Sequence, residues 1–114
     1  MSNAKEINQG DFAAEVLQSD LPVVVDFFTT WCGPCKRLGP LLDQLAAKYA
    51  GRIKVVKVNA EREYTLANEH QIQGVPTLVF YRGGKEVDRV VGLEPTYLLE
   101  KRFDRHALTL AKSA

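Results

Sequence analysis

The sequence predicts an α/β fold in which a mixed sheet carries helices on both faces. Three observations lead there. Short β-branched runs alternate with segments of helical periodicity, the pattern of strand–helix–strand units with a parallel core. One run, Val23 to Phe28, is apolar on both faces except at Asp26, as a strand covered from both sides should be. Two further runs flank Gly83-Gly84, which supplies the positive-φ positions of a tight hairpin and so adds antiparallel strands at one edge.

Lys5 to Ile7 fits a short edge strand. Asn8 to Ser19 reads as a helix: Phe12, Val16 and Leu17 recur at i, i+4 and i+5, and Asn8 with Asp11 three residues on has the form of an N-terminal cap. Pro22 stops it, and the Val23–Phe28 strand follows. Past the cysteines, Leu38, Leu41, Leu42, Leu45, Ala46 and Tyr49 follow a 3.6-residue period, with Gly51 as the stop. Pro40 lies inside this pattern, where a missing N–H predicts a kink near Lys36 to Pro40. Ile53 to Asn59 reads as a strand and Glu61 to His70 as a shorter helix burying Leu66 and Ala67. Thr77 to Tyr81 and Glu86 to Val91 form the hairpin. Pro95 suits the first position of a closing helix that buries Leu98, Leu99 and Phe103. The chain, 1–114, reads as one domain whose tail, 107–114, frays.

A length of 114 residues is enough to bury one core without staples or metals. Fifteen basic residues against fourteen acidic ones leave a net charge of +1, which gives no electrostatic case for binding nucleic acid or an anionic membrane. No apolar run approaches the roughly 20 residues of a membrane span. The first residues lack the apolar core of a signal peptide, so the chain reads as a soluble cytoplasmic protein and a monomer.

The two cysteines are three positions apart, in Trp31-Cys32-Gly33-Pro34-Cys35. A disulfide framework needs more cysteines and wider loops, and a closed zinc site needs four ligands, which His70 and His106 are too distant in the chain to complete. Redox chemistry is favoured. The pair falls at a strand-to-helix junction, the end of an open α/β sheet where ligands bind. Cys32 would open the helix, where free N–H groups and the positive dipole end stabilise a thiolate, the species that attacks disulfides. Cys35 lies one turn in and is better shielded. Gly33 leaves room for a substrate chain, and Pro34 stiffens the first turn. Asp26 should be buried, and burial raises a carboxyl pKa towards the range useful for proton exchange at neutral pH. Lys57 shares a strand face with Ile53 and Val55, so it either snorkels or pairs with a carboxylate. His70, Lys101, Arg102 and Arg105 read as members of solvated helix faces.

Trp31 to Lys36, Trp-Cys-Gly-Pro-Cys-Lys, resembles the motif of the thioredoxin family. Asp26-Phe27, Pro40, Lys57, Gly74-Val75-Pro76-Thr77, Gly84 and Gly92 also stand where that family places them, so the resemblance covers roughly Ile7 to Phe103. It implies the thioredoxin fold: a central five-stranded mixed sheet flanked by four helices. It also implies that Cys32 is the nucleophile and Cys35 the resolving thiol of a protein-disulfide oxidoreductase. Asp26 would assist deprotonation of Cys35, with Lys57 near it. Val75-Pro76 would be a cis peptide facing the cysteines and, with Trp31, Gly33, Pro34 and Gly92, would form a docking surface. The chemistry needs no cofactor or metal beyond the Cys32–Cys35 pair, and no Gly-x-Gly-x-x-Gly occurs. The resemblance implies disulfide-bearing proteins as substrates and an NADPH-dependent flavoprotein thioredoxin reductase as electron source. Gly33-Pro34 resembles the reducing members of the family. The alternatives are a disulfide oxidase or isomerase, a non-redox binding module or holdase, and metal binding across a dimer. Phe28 replaces a tryptophan common in the family, and Thr29-Thr30 a more usual small-acidic pair, which bears on partner preference.

Overall fold

The computed structural model describes residues 4–109. Its sheet has five strands: β1 (Lys5–Glu6), β2 (Val23–Phe28), β3 (Lys54–Asn59), β4 (Thr77–Arg82) and β5 (Lys85–Val91). Their order is β1-β3-β2-β4-β5, with β1 and β2 parallel to β3, β4 antiparallel to β2, and β5 antiparallel to β4. The helices are α1 (Gly33–Lys48), α2 (Tyr64–Glu69) and α3 (Thr96–His106). A fourth helical segment lies between β1 and β2. The result is the mixed, doubly covered sheet that the sequence predicts.

Strand alternation divides the core in two. Val24, Val55, Leu78, Phe80 and Val90 face α1 and α3, meeting Leu38, Leu42, Leu45, Tyr49, Leu99 and Phe103. Val23, Val25, Phe27, Val56, Val58, Val79 and Tyr81 face the other way, against Phe12, Val16, Leu66 and Ala67. β2 is central, so both sets of its side chains are buried, and Asp26 necessarily shares the α1 face with Val24.

Several elements depart from the sequence expectation. The predicted Asn8–Ser19 helix is a single 3₁₀ turn (Gln9–Asp11) followed by a π-helical turn (Ala13–Leu17). The cap is as expected: the Asp11 N–H donates to Asn8 Oδ1 at 3.1 Å and the Asn8 N–H to Asp11 Oδ2 at 3.4 Å. Phe12 and Val16 are buried, and Leu17 stands out at 39 % exposure. α2 starts at Tyr64 rather than Glu61 because Asn59 ends β3 by accepting, on Oδ1, the N–H groups of Glu61 and Arg62. The periodic segment around Pro40 is one helix, α1, as expected. Pro95 is the residue before the first turn of α3 rather than within it, and Leu98 is exposed while Leu99 and Phe103 are buried. After α3, Ala107 is buried and the Leu108 N–H donates to Arg52 O at 2.8 Å. Residues 110–114 of the tail lie outside the described residues.

Candidate active site at the strand-to-helix turn

β2 ends at Phe28, and after four connecting residues the chain enters α1 at Gly33. Cys32 is the cap residue: its backbone is extended (φ −89°, ψ 113°), and its Sγ accepts the Cys35 N–H at 3.1 Å. A sulfur thus takes the place that Ser or Asp oxygen takes at most helix starts, against donors that have no partner within the helix. Pro34 falls in the first turn, where its missing N–H costs nothing. Cys32 and Cys35 form a disulfide with Cα atoms 5.3 Å apart, and both are buried at 5 % and 7 % exposure. Gly33 between them is exposed, and a Cβ there would stand 3.9 Å from Arg37 Nη1.

Beneath the turn, Asp26 is 3 % exposed and its Oδ1 has no hydrogen-bond partner among the described residues. Burial pushes its carboxyl up to about 7, against the opposing pull of the Lys57 ammonium. Asp26 and Lys57 are register partners across β2 and β3 on the α1 face. Lys57 reaches along that face to Asp43 of α1, with Nζ 3.3 Å from Oδ1, so pairing rather than snorkelling describes it. Asp26 therefore lies between the sheet and the helix that Cys32 and Cys35 begin.

A second wall comes from the α2–β4 connection. The Val75–Pro76 peptide is cis, and the Pro76 carbonyl accepts the Gly92 N–H at 2.8 Å, fixing the two loops side by side. Gly92 has φ +82°, a conformation that glycine adopts without strain. Val75 and Trp31 line a groove of about 350 Å³ together with Thr29, Ala60, Tyr64 and Ile72. Trp31 and Tyr64 stand exposed at its rim, at 68 % and 67 %. Tyr64, Ala60 and Ile72 gave no sign in the sequence, since only the packing of α2 against the end of β2 brings them to Trp31.

Residues 3–105 match the thioredoxin family model. The chain is 43 % identical over 106 residues to thioredoxin 1 of Nostoc sp., covering 93 % of this chain and 99 % of that one. It is 41 % identical to thioredoxin 1 of Synechococcus elongatus over the same shares of both chains, and 40 % identical over 101 residues to a thioredoxin of Chlorobaculum thiosulfatiphilum, covering 89 % and 94 %. The chain belongs to the thioredoxin family. Its five-stranded mixed sheet and flanking helices are the thioredoxin fold, and its Cys32–Cys35 pair is the redox centre of a dithiol–disulfide oxidoreductase.

Against the thioredoxin pattern, the substituted positions have clear settings. Thr30 is tied to α2's approach: its hydroxyl donates to Glu61 Oε1 at 3.1 Å. Thr29 is buried with its Oγ1 unpartnered among the described residues, and Phe28 is half-buried. Two residues read as solvated are not. His70 is half-buried among Phe12, Phe27 and Tyr81, with Nδ1 2.8 Å from the Tyr81 hydroxyl, and burial holds its imidazole below the ordinary value. Arg102 forms paired hydrogen bonds to both Asp88 and Glu94, clamping α3 to β5 and its following loop. Neither could be read from helical periodicity, because their partners come from other elements. Among the described residues, no group of three or more His, Cys, Asp and Glu side chains is placed to hold a metal ion, and no helix is long and apolar enough to cross a membrane.

Proposed function

We propose that the protein reduces protein disulfides in the cytoplasm, as a monomer and with no group other than its own dithiol. The Cys32 thiolate attacks one sulfur of the substrate disulfide; the new Cys32–substrate bond forms and the other substrate sulfur leaves as a thiolate. Cys35, losing its proton to Asp26, then attacks Cys32 Sγ. The Cys32–Cys35 disulfide forms, the second substrate sulfur leaves as a thiolate, and two electrons have passed to the substrate. An NADPH-dependent flavoprotein thioredoxin reductase returns them.

The observation that carries this reading is the setting of Cys32 as a helix cap, with Sγ already facing a backbone N–H, above a buried carboxyl raised to about 7. Such a carboxyl is half-protonated near neutral pH and both accepts and returns a proton there. Gly33 and Pro34 shape the turn, and Lys57 tunes Asp26 from the adjacent strand. Trp31, Val75, Pro76 and Gly92 form the docking edge, where the Val75 backbone groups pair with an extended substrate segment.

Reduction of a protein disulfide followed with and without thioredoxin reductase and NADPH tests the proposal. Turnover far above that of free dithiol is expected, and no acceleration would overturn it. The role of Asp26 is tested by rapid mixing on a trapped mixed disulfide: Asp26→Asn should slow resolution more than formation, and equal resolution rates would remove Asp26 from the mechanism.

A further inference from the structure

We infer that Arg37, supported by Lys36, selects substrates that carry a carboxylate beside the cysteine under attack. The inference rests on the disulfide-reducing reading above and adds to it the chemistry of the preferred partner.

Four observations converge. First, side chains on a helix tilt towards its N-terminus, and Arg37 is one turn beyond Gly33, so its guanidinium folds back over the exposed glycine between the cysteines, 3.9 Å from where a Cβ would stand. A chain approaching Cys32 across Gly33 meets that cation. Second, neither cation is paired. Among the described residues Lys5, Lys48, Lys54, Lys57, Arg62, Arg89 and Arg102 each hold a carboxylate, whereas Lys36 and Arg37 are exposed and hold none, a property they share with Lys85, Lys101 and Arg105, which stand away from the cysteines. Third, Lys36 closes the first turn of α1 and Arg37 follows it, at the helix end where positive charge is least favoured and where the first turn holds no acidic residue to offset it. Helix stability does not explain cations at that place. Fourth, the charge on the other side of Trp31 has the opposite sign: Glu61 is held against the Thr30 N–H and hydroxyl. The rim is therefore polar in one direction, cationic towards α1 and anionic towards α2. A substrate segment with an acidic residue on the α1 side meets attraction there, and one with a basic residue meets repulsion.

The test uses the full chain reduced with dithiothreitol. It measures single-turnover rates on three peptide disulfides that differ only in having Glu, Gln or Lys next to the cysteine, placed in turn before and after it. Each rate is divided by that of the same peptide with dithiothreitol, which removes the intrinsic effect of the charge on the disulfide. At low ionic strength Glu should exceed Gln, and Gln exceed Lys, by about two- to five-fold per step in one of the two placements. In about 1 M salt, where the screening length is roughly 3 Å, the differences should collapse. Arg37→Gln should remove most of the Glu advantage and Arg37→Glu should invert the order. Lys85→Gln changes net charge equally at the β4–β5 turn, which register places at the opposite end of β2, and should leave the order intact. Equal normalised rates for all three peptides, or an order that survives Arg37→Gln, would overturn the inference while leaving disulfide reduction standing. No reaction with any peptide would overturn both.

Discussion

Asp26 carries the most quantitative prediction. Its carboxyl moves from 3.8 to about 7 through burial, so the folded protein holds a proton that the unfolded chain releases between those pH values. Well below pH 3.8 the group is neutral in both states and folding carries no penalty. As pH rises the unfolded chain ionises first and gains the advantage. Above pH 7 the folded group must ionise in the core, and the cost is then constant. About three pH units at about 1.4 kcal/mol each gives a penalty approaching 4 kcal/mol on the alkaline side. Asp26→Asn removes the ionisation but leaves the shape. It adds an amide whose own desolvation cost does not vary with pH, so the informative quantity is the change in the stability difference between the two proteins. Urea unfolding of the oxidised forms from pH 4 to 8.5 measures it, with the disulfide keeping both cysteines out of the titration. The variant should gain on the wild type by close to 4 kcal/mol across that range, with most of the gain between pH 4 and 7 and a plateau above. Titration of His70 and the surface carboxylates is common to both and cancels. A difference that stays flat with pH would refute both the burial argument and the proton-acceptor role built on it.

Other consequences are more local. Gly51 and Gly84 have φ of +82° and +81°, but a Cβ at Gly51 meets open space while one at Gly84 stands 3.0 Å from the Leu17 carbonyl oxygen. Gly51→Ala should cost about 1 kcal/mol from backbone strain alone and Gly84→Ala clearly more, read as urea midpoints; equal losses would contradict the close approach. His70→Ala should cost about 1–3 kcal/mol, since it opens a gap between Phe12 and Tyr81 and strips the Tyr81 hydroxyl of a partner. A loss below about 0.5 kcal/mol would return His70 to the solvated surface. Burial alone would raise the Asp88 carboxyl, but hydrogen bonds from His106, Arg102 and the Arg89 N–H together hold it below the ordinary carboxylate range. Its stabilisation is thus present above the unfolded value and lost as pH falls through the lower folded one. Asp88→Asn should destabilise at pH 7, and the gap should close in acid denaturation below about pH 4.

Much of the fold was determined by local pattern. The β2 run is apolar on both faces, which no exposed strand tolerates, so its central place and the burial of Asp26 followed from the sequence. The Cys32–Cys35 spacing after a strand and before a periodic helix set the site, and Gly83-Gly84 set the hairpin. These features are legible because strand period, helix period and turn glycines act over a few residues. What only the tertiary structure decided involves partners distant in sequence. The N-terminal segment is a 3₁₀ turn and a π turn rather than one helix, with Phe12 and Val16 buried against the sheet as the periodicity expects, and its backbone form was not legible in that periodicity. Lys57 found Asp43, His70 found Tyr81, and Arg102 found Asp88 and Glu94 on neighbouring elements, pairings that no spacing rule encodes. The Trp31–Tyr64 groove, likewise, exists only where α2 meets the end of β2. The sequence determined where the disulfide chemistry sits, since that needs only a helix start and two cysteines. The walls around it were decided by how the layers pack, since long-range contacts form only when the sheet brings their elements together.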